Sequence, residues 1–461
     1  MNQTCHDLLI RGVKLLNVVL MTLPFSRCWK QNYEILMENA LPEYSDWLIP
    51  VLFMILYGVF GRIYEAFPVS RNRISEMVYS QGLAVLATDS IVWMMFWLLL
   101  RKYPALKPML TVFLIQVCLA WLWSSCCQKG YYMLFPPKAT AVIYDTRLGL
   151  DQLIEEYGLS KKYDVRLTLS VEDCMKNLEQ LQNMKVVFLS GIHSRDRNII
   201  LKYCMYRDIE VLVIPRIGDV IMNSARKVHM FHLPMLDIRR YHATPEYLLI
   251  KRVMDILLSL IMLILLSPVM AVVAFAIHAY DGGPVFYKQV RLTKDGKKFE
   301  IHKFRSMCVD AEKDGIARLS TGKNDDRITP IGRMIRRIRL DELPQLLDIL
   351  TGNLSIVGPR PERPEIAEQY MKEMPEFQLR LQAKAGLTGY AQVYGKYNTT
   401  PYDKLQMDLM YLAHPSLVED FKIILATVKI LFLPESTEGI EQGQITAIQN
   451  PPKSDKKTII S

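Results

Sequence analysis

Apolar residues gather in four runs before residue 130 and in a fifth near residue 265. Trp47 to Phe60, Gly82 to Leu100 and Pro108 to Trp123 read as membrane helices, although only the second approaches the ~20 residues that span a bilayer. The first run, Leu8 to Phe25, carries Arg11 and Lys14 and reads either as a weak span or as an interfacial helix. Asp89 lies inside the third run. An acid at that depth is a functional candidate, set against the plainer role of a hydrogen bond between helices. Arg62, Arg71 and Arg73 on one side oppose Arg27, Lys30, Arg101, Lys102 and Lys107 on the other, so loop charge leaves the orientation open.

From Lys138 short β-branched runs alternate with amphipathic stretches. Ala139–Asp145, Asp164–Ser170, Lys185–Gly191 and Ile209–Pro215 predict strands, with helices over Val171–Asn183 and Ser194–Tyr206. That alternation implies a parallel sheet with crossover helices. The first turn, Asp145-Thr146-Arg147-Leu148-Gly149, lacks the GxGxxG that brings backbone close to a pyrophosphate. An organising role therefore outweighs nucleotide binding there.

Lys251-Arg252-x-x-Asp255 then introduces an uncharged run from Ile256 to Ile277, with Ser267-Pro268 near its centre. Proline removes a helix hydrogen bond and crowds the preceding turn, so a kink or break is expected. Length favours a plain spanning helix. If the soluble parts on either side share one face of the membrane, the helix must instead re-enter. After residue 280 the chain is polar and arginine-rich to about Leu433, and Glu435–Ser461 reads as a flexible tail.

Composition adds bounds. The 461 residues are 50% hydrophobic and 22% charged, which describes a membrane protein with large water-soluble parts. The excess of 56 Lys and Arg over 47 acids suits anionic lipid headgroups or a polyanionic substrate and is too small to argue for nucleic acid. The eight cysteines form no CxxC and the eight histidines no HExxH, so reduced thiols and no structural metal are expected. No small-x-small cleavage site follows the first apolar run, so no signal peptide is expected.

The densest chemistry lies between Lys303 and Lys396. Arg327, Arg333, Arg336, Arg337 and Arg339 precede Asp341-Glu342, and Leu343-Pro344-Gln345 predicts a helix start just beyond. Two acids beside such arginines can supply a carboxylate nucleophile and a Mg²⁺ ligand, with the arginines neutralising a diphosphate. An ordinary surface pair between Arg337 and Asp341 stands as the plainer reading. Pro359, Pro361 and Pro364 rigidify a loop around Arg360. The glycine-bearing turn Gly386-Leu387-Thr388-Gly389, followed by Tyr390-Ala391-Gln392, suits a phosphate and a base.

Together these residues resemble the polyprenyl-phosphate hexose-1-phosphate transferases, the large monotopic phosphoglycosyl transferases also called bacterial sugar transferases. The resemblance rests on Lys251-Arg252-x-x-Asp255, Ser267-Pro268, Gly283-Pro284-x-Phe286, Lys303-Phe304-Arg305-Ser306-Met307, Leu340 to Gln345, Val357 to Pro361 and Leu387-Thr388-Gly389, in this order. It implies a fold of three parts and a tail. Residues 1–130 form an α-helical membrane region of about four helices, and 131–240 a Rossmann-like α/β domain. Residues 241–434 form a mostly α-helical phosphoglycosyl transferase domain with a re-entrant membrane helix over 252–278, and 435–461 the tail.

The resemblance also implies a reaction. Asp341 would attack the phosphate of a UDP-sugar, UMP would leave, and polyprenyl phosphate in the membrane would take the phosphosugar from the aspartate. Glu342 would complete the dyad, with Mg²⁺ shared by Asp341 and Glu342. Lys303 and Arg336 would stand beside the acids, and Arg360 between Pro359 and Pro361 would meet the nucleotide, with Thr388, Gln392 and Lys396 nearby. Lys251 and Arg252 would meet headgroups, and Ser267-Pro268 would break the helix. A bacterial inner-membrane location with the catalytic domain facing the cytoplasm follows, and a homodimer fits so large a member. Tyr390 stands where tryptophan is frequent, and Lys396 where arginine is frequent; lysine cannot stack a planar guanidinium on uracil. A non-catalytic membrane adaptor of polysaccharide assembly is the alternative function.

Overall fold

The computed structural model describes residues 3–37, 45–100, 103–147, 149–241, 243–309, 311, 327–395 and 399–431. The chain divides into two units, Met1–Pro215 and Arg216–Ser461. Lys396 and the tail expected over 435–461 lie outside the described residues.

The first unit opens with α1 (Gln3–Cys28), which runs through a π-helical turn at Trp29–Tyr33 into the short α2 (Glu34–Met37). Then come α3 (Ser45–Ile63), α4 (Ile74–Leu100) and α5 (Leu106–Leu134). Four stretches here are long and apolar enough to cross a membrane: His6–Tyr33, Asp46–Ile63, Ile74–Leu100 and Leu106–Leu134. Their apolar surfaces give little directional preference in lipid, and hydrogen bonds between helices supply it. Tyr57 of α3 donates to Asn17 of α1 at 2.8 Å, Asn17 to Gln81 of α4 at 3.3 Å, and Gln81 to Ser124 of α5 at 3.3 Å. Asp89 is not part of this network. It is buried on α4 with neither carboxylate oxygen hydrogen-bonded among the described residues, so the interhelical bond expected of it is not made.

The unit closes with β1 (Lys138–Tyr144), α6 (Leu150–Glu156), β2 (Tyr163–Ser170), α7 (Val171–Lys176), β3 (Val186–Ser190), α8 (Ser194–Tyr206) and β4 (Glu210–Val213). The strands are all parallel, in the order β2-β1-β3-β4. Ala141 to Ile143 and Val186 to Val187 are buried as continuous runs, as expected of strands covered on both faces. The single helix expected over Val171–Asn183 is shorter. Asn177 leaves the helical region at φ −149°, and its side chain accepts from the Glu179 N–H to start a separate 3₁₀ turn at Leu178–Leu181.

The second unit starts with α9 (Ile217–Asn223) and the hairpin β5 (Arg226–Met230) and β6 (Leu233–Asp237). The dominant element follows, α10 (Pro245–Asp281), and its ends are written locally. Thr244 accepts from the Tyr247 N–H, Pro245 takes the first helical position, and Gly282 ends the helix at φ +67°. The expected break at Ser267-Pro268 is absent: the helix is continuous through both residues. Pro268 cannot donate to the Ile264 carbonyl, and the Ser267 hydroxyl does so instead at 2.8 Å.

Beyond α10 lie the hairpin β7 (Phe286–Leu292) and β8 (Lys298–Phe304), then α11 (Pro330–Arg337), α12 (Gln345–Thr351), β9 (Ser355–Val357) and α13 (Pro364–Glu373). The chain ends in β10 (Gly386–Thr388), α14 (Tyr390–Tyr394), α15 (Pro401–Ala413) and α16 (Leu417–Leu431). Ile349, Leu354, Val357, Phe377, Leu405 and Ile423 centre one core, which Ile217 and Val220 of α9 join.

Candidate active site

Three pieces of the second unit bring the charged residues together. Lys303 is the penultimate residue of β8, opposite Tyr287 in the hairpin register. Asp341 and Glu342 occupy a 3₁₀ turn, Leu340–Glu342, and the helix expected after Pro344 is α12. Arg360 comes from the loop after β9. Arg339 turns the chain from α11 into the 3₁₀ turn in a left-handed conformation, φ 54°, which a residue with a Cβ adopts at a cost of about 1–2 kcal/mol.

The two acids have different surroundings. Glu342 Oε1 accepts from Lys303 Nζ at 2.8 Å and from Arg360 Nη2 at 3.0 Å. Burial alone would raise the Glu342 carboxyl, but Lys303, Arg360 and Arg339 outweigh it and hold the group well below the ordinary carboxylate range. Burial pulls Lys303 down by more than Glu342 restores, while Arg360 is raised, chiefly by Glu342. A separation of 2.8 Å with both side chains under one-fifth exposed describes a charged pair. Asp341 has no hydrogen-bond or ion-pair partner among the described residues. Burial, and then Glu342 beside it, push its carboxyl up to about 6 against the pull of Lys303, Arg336 and Arg360. The surface pair between Arg337 and Asp341 is not formed.

β8 is pinned to α12 one residue before Lys303. The carboxylate of buried Asp348 accepts the His302 backbone N–H at 2.9 Å and lies 2.6 Å from His302 Nδ1. Arg360 Nη1 donates to Gln392 Oε1 at 2.8 Å, which brings Gln392 of α14 beside Arg360. Thr388 does not present its hydroxyl: that group is 2.7 Å from the Thr427 hydroxyl of α16. Pro359 and Pro361 are buried. Gly358 and Gly386 allow a close backbone approach here: a Cβ on Gly386 would collide with the Gly358 N–H, and one on Gly358 with the Lys384 carbonyl.

Lys251 and Arg252 are turned into the protein, which corrects the expectation that they meet headgroups. Lys251 Nζ lies 2.8 Å from Asp420 Oδ2, and Tyr247 and Tyr411 donate to the same carboxylate at 2.9 and 2.7 Å. Arg252 donates to the Ile349 and Leu350 carbonyls at 2.6 and 2.8 Å, in the last turn of α12. Asp255 accepts from the Ser355 hydroxyl at 2.8 Å and the Ile356 N–H at 3.1 Å. The other end of α10 joins the same unit, where Val273 and Ile277 pack with Phe304 and Ile335, and Asp281 pairs with Arg305.

Reading the sequence alone missed Asp420, Asp408, Arg380 and Arg291. The helix pattern held a signal for two of them. Asp408 shares a buried stripe with Leu405, Leu409 and Leu412, and Asp420 one with Ile423 and Ala426. A charge on the apolar stripe of a helix needs a buried partner.

Comparison with known proteins identifies the class to which this unit belongs. The sequence model of the bacterial sugar transferase family matches residues 246–434. The chain is 32% identical over 297 residues to the UDP-glucose:undecaprenyl-phosphate glucose-1-phosphate transferase of Escherichia coli (strain K12), a match covering 63% of this chain and 59% of that protein. It is 35% identical over 234 residues to the UDP-N-acetylgalactosamine-undecaprenyl-phosphate N-acetylgalactosaminephosphotransferase of Aeromonas hydrophila, covering 50% and 54%. It is 40% identical to the exopolysaccharide production protein PSS of Rhizobium leguminosarum bv. phaseoli, covering 39% of this chain and 94% of that one. The chain belongs to the bacterial sugar transferase family. The first two matches span little more than half of those relatives' own lengths.

Proposed function

We propose that this protein transfers a hexose-1-phosphate from a UDP-sugar to undecaprenyl phosphate, through an aspartyl-phosphosugar intermediate, at the start of a polysaccharide repeat unit. The observation that carries the reading is the contrast within the dyad. Glu342 is held charged by Lys303 and Arg360, while Asp341 beside it has no partner among the described residues and would be the one to attack. Asp341 would form a bond to the sugar-bearing phosphorus as the bond to UMP breaks. In the second half, a polyprenyl phosphate oxygen would displace the aspartate from phosphorus. Splitting the transfer this way lets a soluble and a lipid substrate use one shallow site in turn. Arg360, oriented by Glu342 and Gln392, would hold the nucleotide phosphate, and Lys303 and Arg336 would offset the charge that gathers as an anion attacks an anion.

Mg²⁺ suits this donor set. Among the described residues no cluster of three His, Cys, Asp or Glu side chains exists. The protein would supply Asp341 and Glu342, and phosphate oxygens the remainder, which is how Mg²⁺ is commonly held. Bound there, it would polarise the phosphoryl group.

The same reading places the catalytic unit on the cytoplasmic face of a bacterial inner membrane, with α10 bending at Pro268 while staying helical, so that both its ends lie on that face. What supports same-side insertion is that both ends of α10 pack on one soluble unit, while Leu249, Ile256, Leu260, Ile264, Val272 and Phe275 are exposed. The relatives act on different sugars by name, so the sugar is open. The adaptor reading loses ground because the dyad and its cations are intact. The test is UMP release from each UDP-sugar by purified protein in nanodiscs with Mg²⁺ and undecaprenyl phosphate. One productive sugar supports the reading, and a folded protein silent with all of them refutes it.

A further inference from the structure

The loop Pro359-Arg360-Pro361-Glu362 has a backbone problem that its sequence creates. Pro359 and Pro361 have no N–H, so the loop cannot be secured by its own donors in the usual ladder. Instead, four successive carbonyls are captured from outside. Pro359 O accepts from the Gly386 N–H at 2.9 Å, and Glu362 O from the Leu292 N–H at 2.9 Å. Between them, Arg360 O accepts from Arg380 Nη2 at 2.9 Å and Pro361 O from Arg291 Nη1 at 3.1 Å.

Arg380 is the more deeply committed of the two arginines. It lies in a 3₁₀ segment, Pro375–Gln382, is 4% exposed and stacks on Phe377 at 4.8 Å. Its charge is answered by Asp408 of α15, whose Oδ2 stands 2.7 Å from Nη2 in an ion pair not aligned as a hydrogen bond. Glu362 Oε1 accepts from Nη1 at 3.4 Å. A fully buried arginine with a buried counterion is a costly arrangement for the sake of stability alone, since apolar residues often do as well. What it secures here is the backbone of the residue whose guanidinium bridges Glu342 and Gln392.

We propose that Arg380, with Asp408 as its counterion, is a positioning residue: it fixes the Arg360 carbonyl and thereby the place of the Arg360 guanidinium against Glu342. The activity arm of its test rests on the transferase reading above, whereas the structural arm does not. Lysine keeps the charge of Arg380 but has no planar fork with which to hold a carbonyl and a carboxylate together.

In Arg380→Lys, amide hydrogen exchange at Gly386 and Leu292, whose N–H groups donate to the Pro359 and Glu362 carbonyls, should rise several-fold, with the peptides of β1 and β3 unchanged. Unchanged exchange in a folded variant overturns the proposal whatever reaction the protein performs. If wild-type protein turns over a UDP-sugar, Arg380→Lys should raise KM for it about tenfold while lowering kcat less. In an Arg360→Ala background the same substitution should have no further effect on KM, because its influence passes through Arg360. An equal effect in both backgrounds would make Arg380 a general structural residue and end the proposal. Asp408→Asn, which preserves shape, should reproduce the exchange change in weaker form; a wild-type exchange pattern there removes Asp408 from the assignment. If the exchange change appears but wild type is silent with every UDP-sugar, the transferase reading fails and the clamp stands.

Discussion

Asp341 and Glu342 adjoin in one 3₁₀ turn, yet Glu342 Oε1 receives both Lys303 and Arg360 while the Asp341 carboxylate has no partner among the described residues. Glu342 is thus the anchor of the two cations, and the proposed reading gives the chemistry to Asp341.

Substitutions should therefore separate. Asp341→Asn removes the attacking oxygen and should lower UMP release by about 10³-fold or more, the scale on which loss of a nucleophile is felt. Glu342→Gln keeps the shape but leaves Lys303 and Arg360 without their shared anion. It should raise KM as well as lower kcat, and steady-state kinetics of both variants will show whether the two profiles differ.

The raised Asp341 carboxyl makes a pH prediction with a definite sign. Attack requires the carboxylate, so kcat/KM should fall as pH drops through about 6. Stability runs the other way. A carboxyl raised on folding contributes stability that is complete below its unfolded value near 4 and is lost as pH rises through about 6. Asp341→Asn should therefore raise the thermal midpoint by a few degrees at pH 7.5, with the gain shrinking toward pH 4. A variant less stable than wild type at pH 7.5 would contradict this.

The buried Lys251–Asp420 pair predicts a loss that does not depend on lipid charge. Removing one partner of such a pair leaves the other charge stranded and costs about 3–5 kcal/mol. Lys251→Ala should lower the unfolding midpoint equally in anionic and zwitterionic nanodiscs. A loss confined to anionic lipid would return Lys251 to the headgroups.

Same-side insertion of α10 can be read by labelling. Glu246→Cys and Tyr280→Cys, each in a cysteine-free background, place single thiols at exposed positions near the two ends of the helix. Both should react with an impermeant maleimide from the same side of sealed vesicles. Reaction from opposite sides would establish a full span.

Much of this architecture is legible in the sequence where one local rule decides. The alternation after Lys138 marks all four strands of the β2-β1-β3-β4 sheet, and Ser194–Tyr206 is read to its observed ends. Pro344 announces α12, and the acid pair with its arginines is conspicuous before any geometry is known. The misses share a cause: each is settled by a partner distant in sequence. Lys251 looks like a headgroup ligand until Asp420, on another helix, buries it. Ser267-Pro268 looks like a break until the serine hydroxyl replaces the missing donor. Arg380 and Asp408 have meaning only once the proline loop needs its carbonyls held.

The central claim is that Asp341 carries the phosphosugar between two half-reactions. Intact-protein mass spectrometry after incubation with the productive UDP-sugar and Mg²⁺, without polyprenyl phosphate, tests it directly. The account predicts an added mass of one hexose phosphate, mapped by fragmentation to Asp341, absent from Asp341→Asn and discharged by adding undecaprenyl phosphate. UMP release that requires undecaprenyl phosphate from the first turnover, with no adduct on wild type, would contradict it and indicate direct transfer.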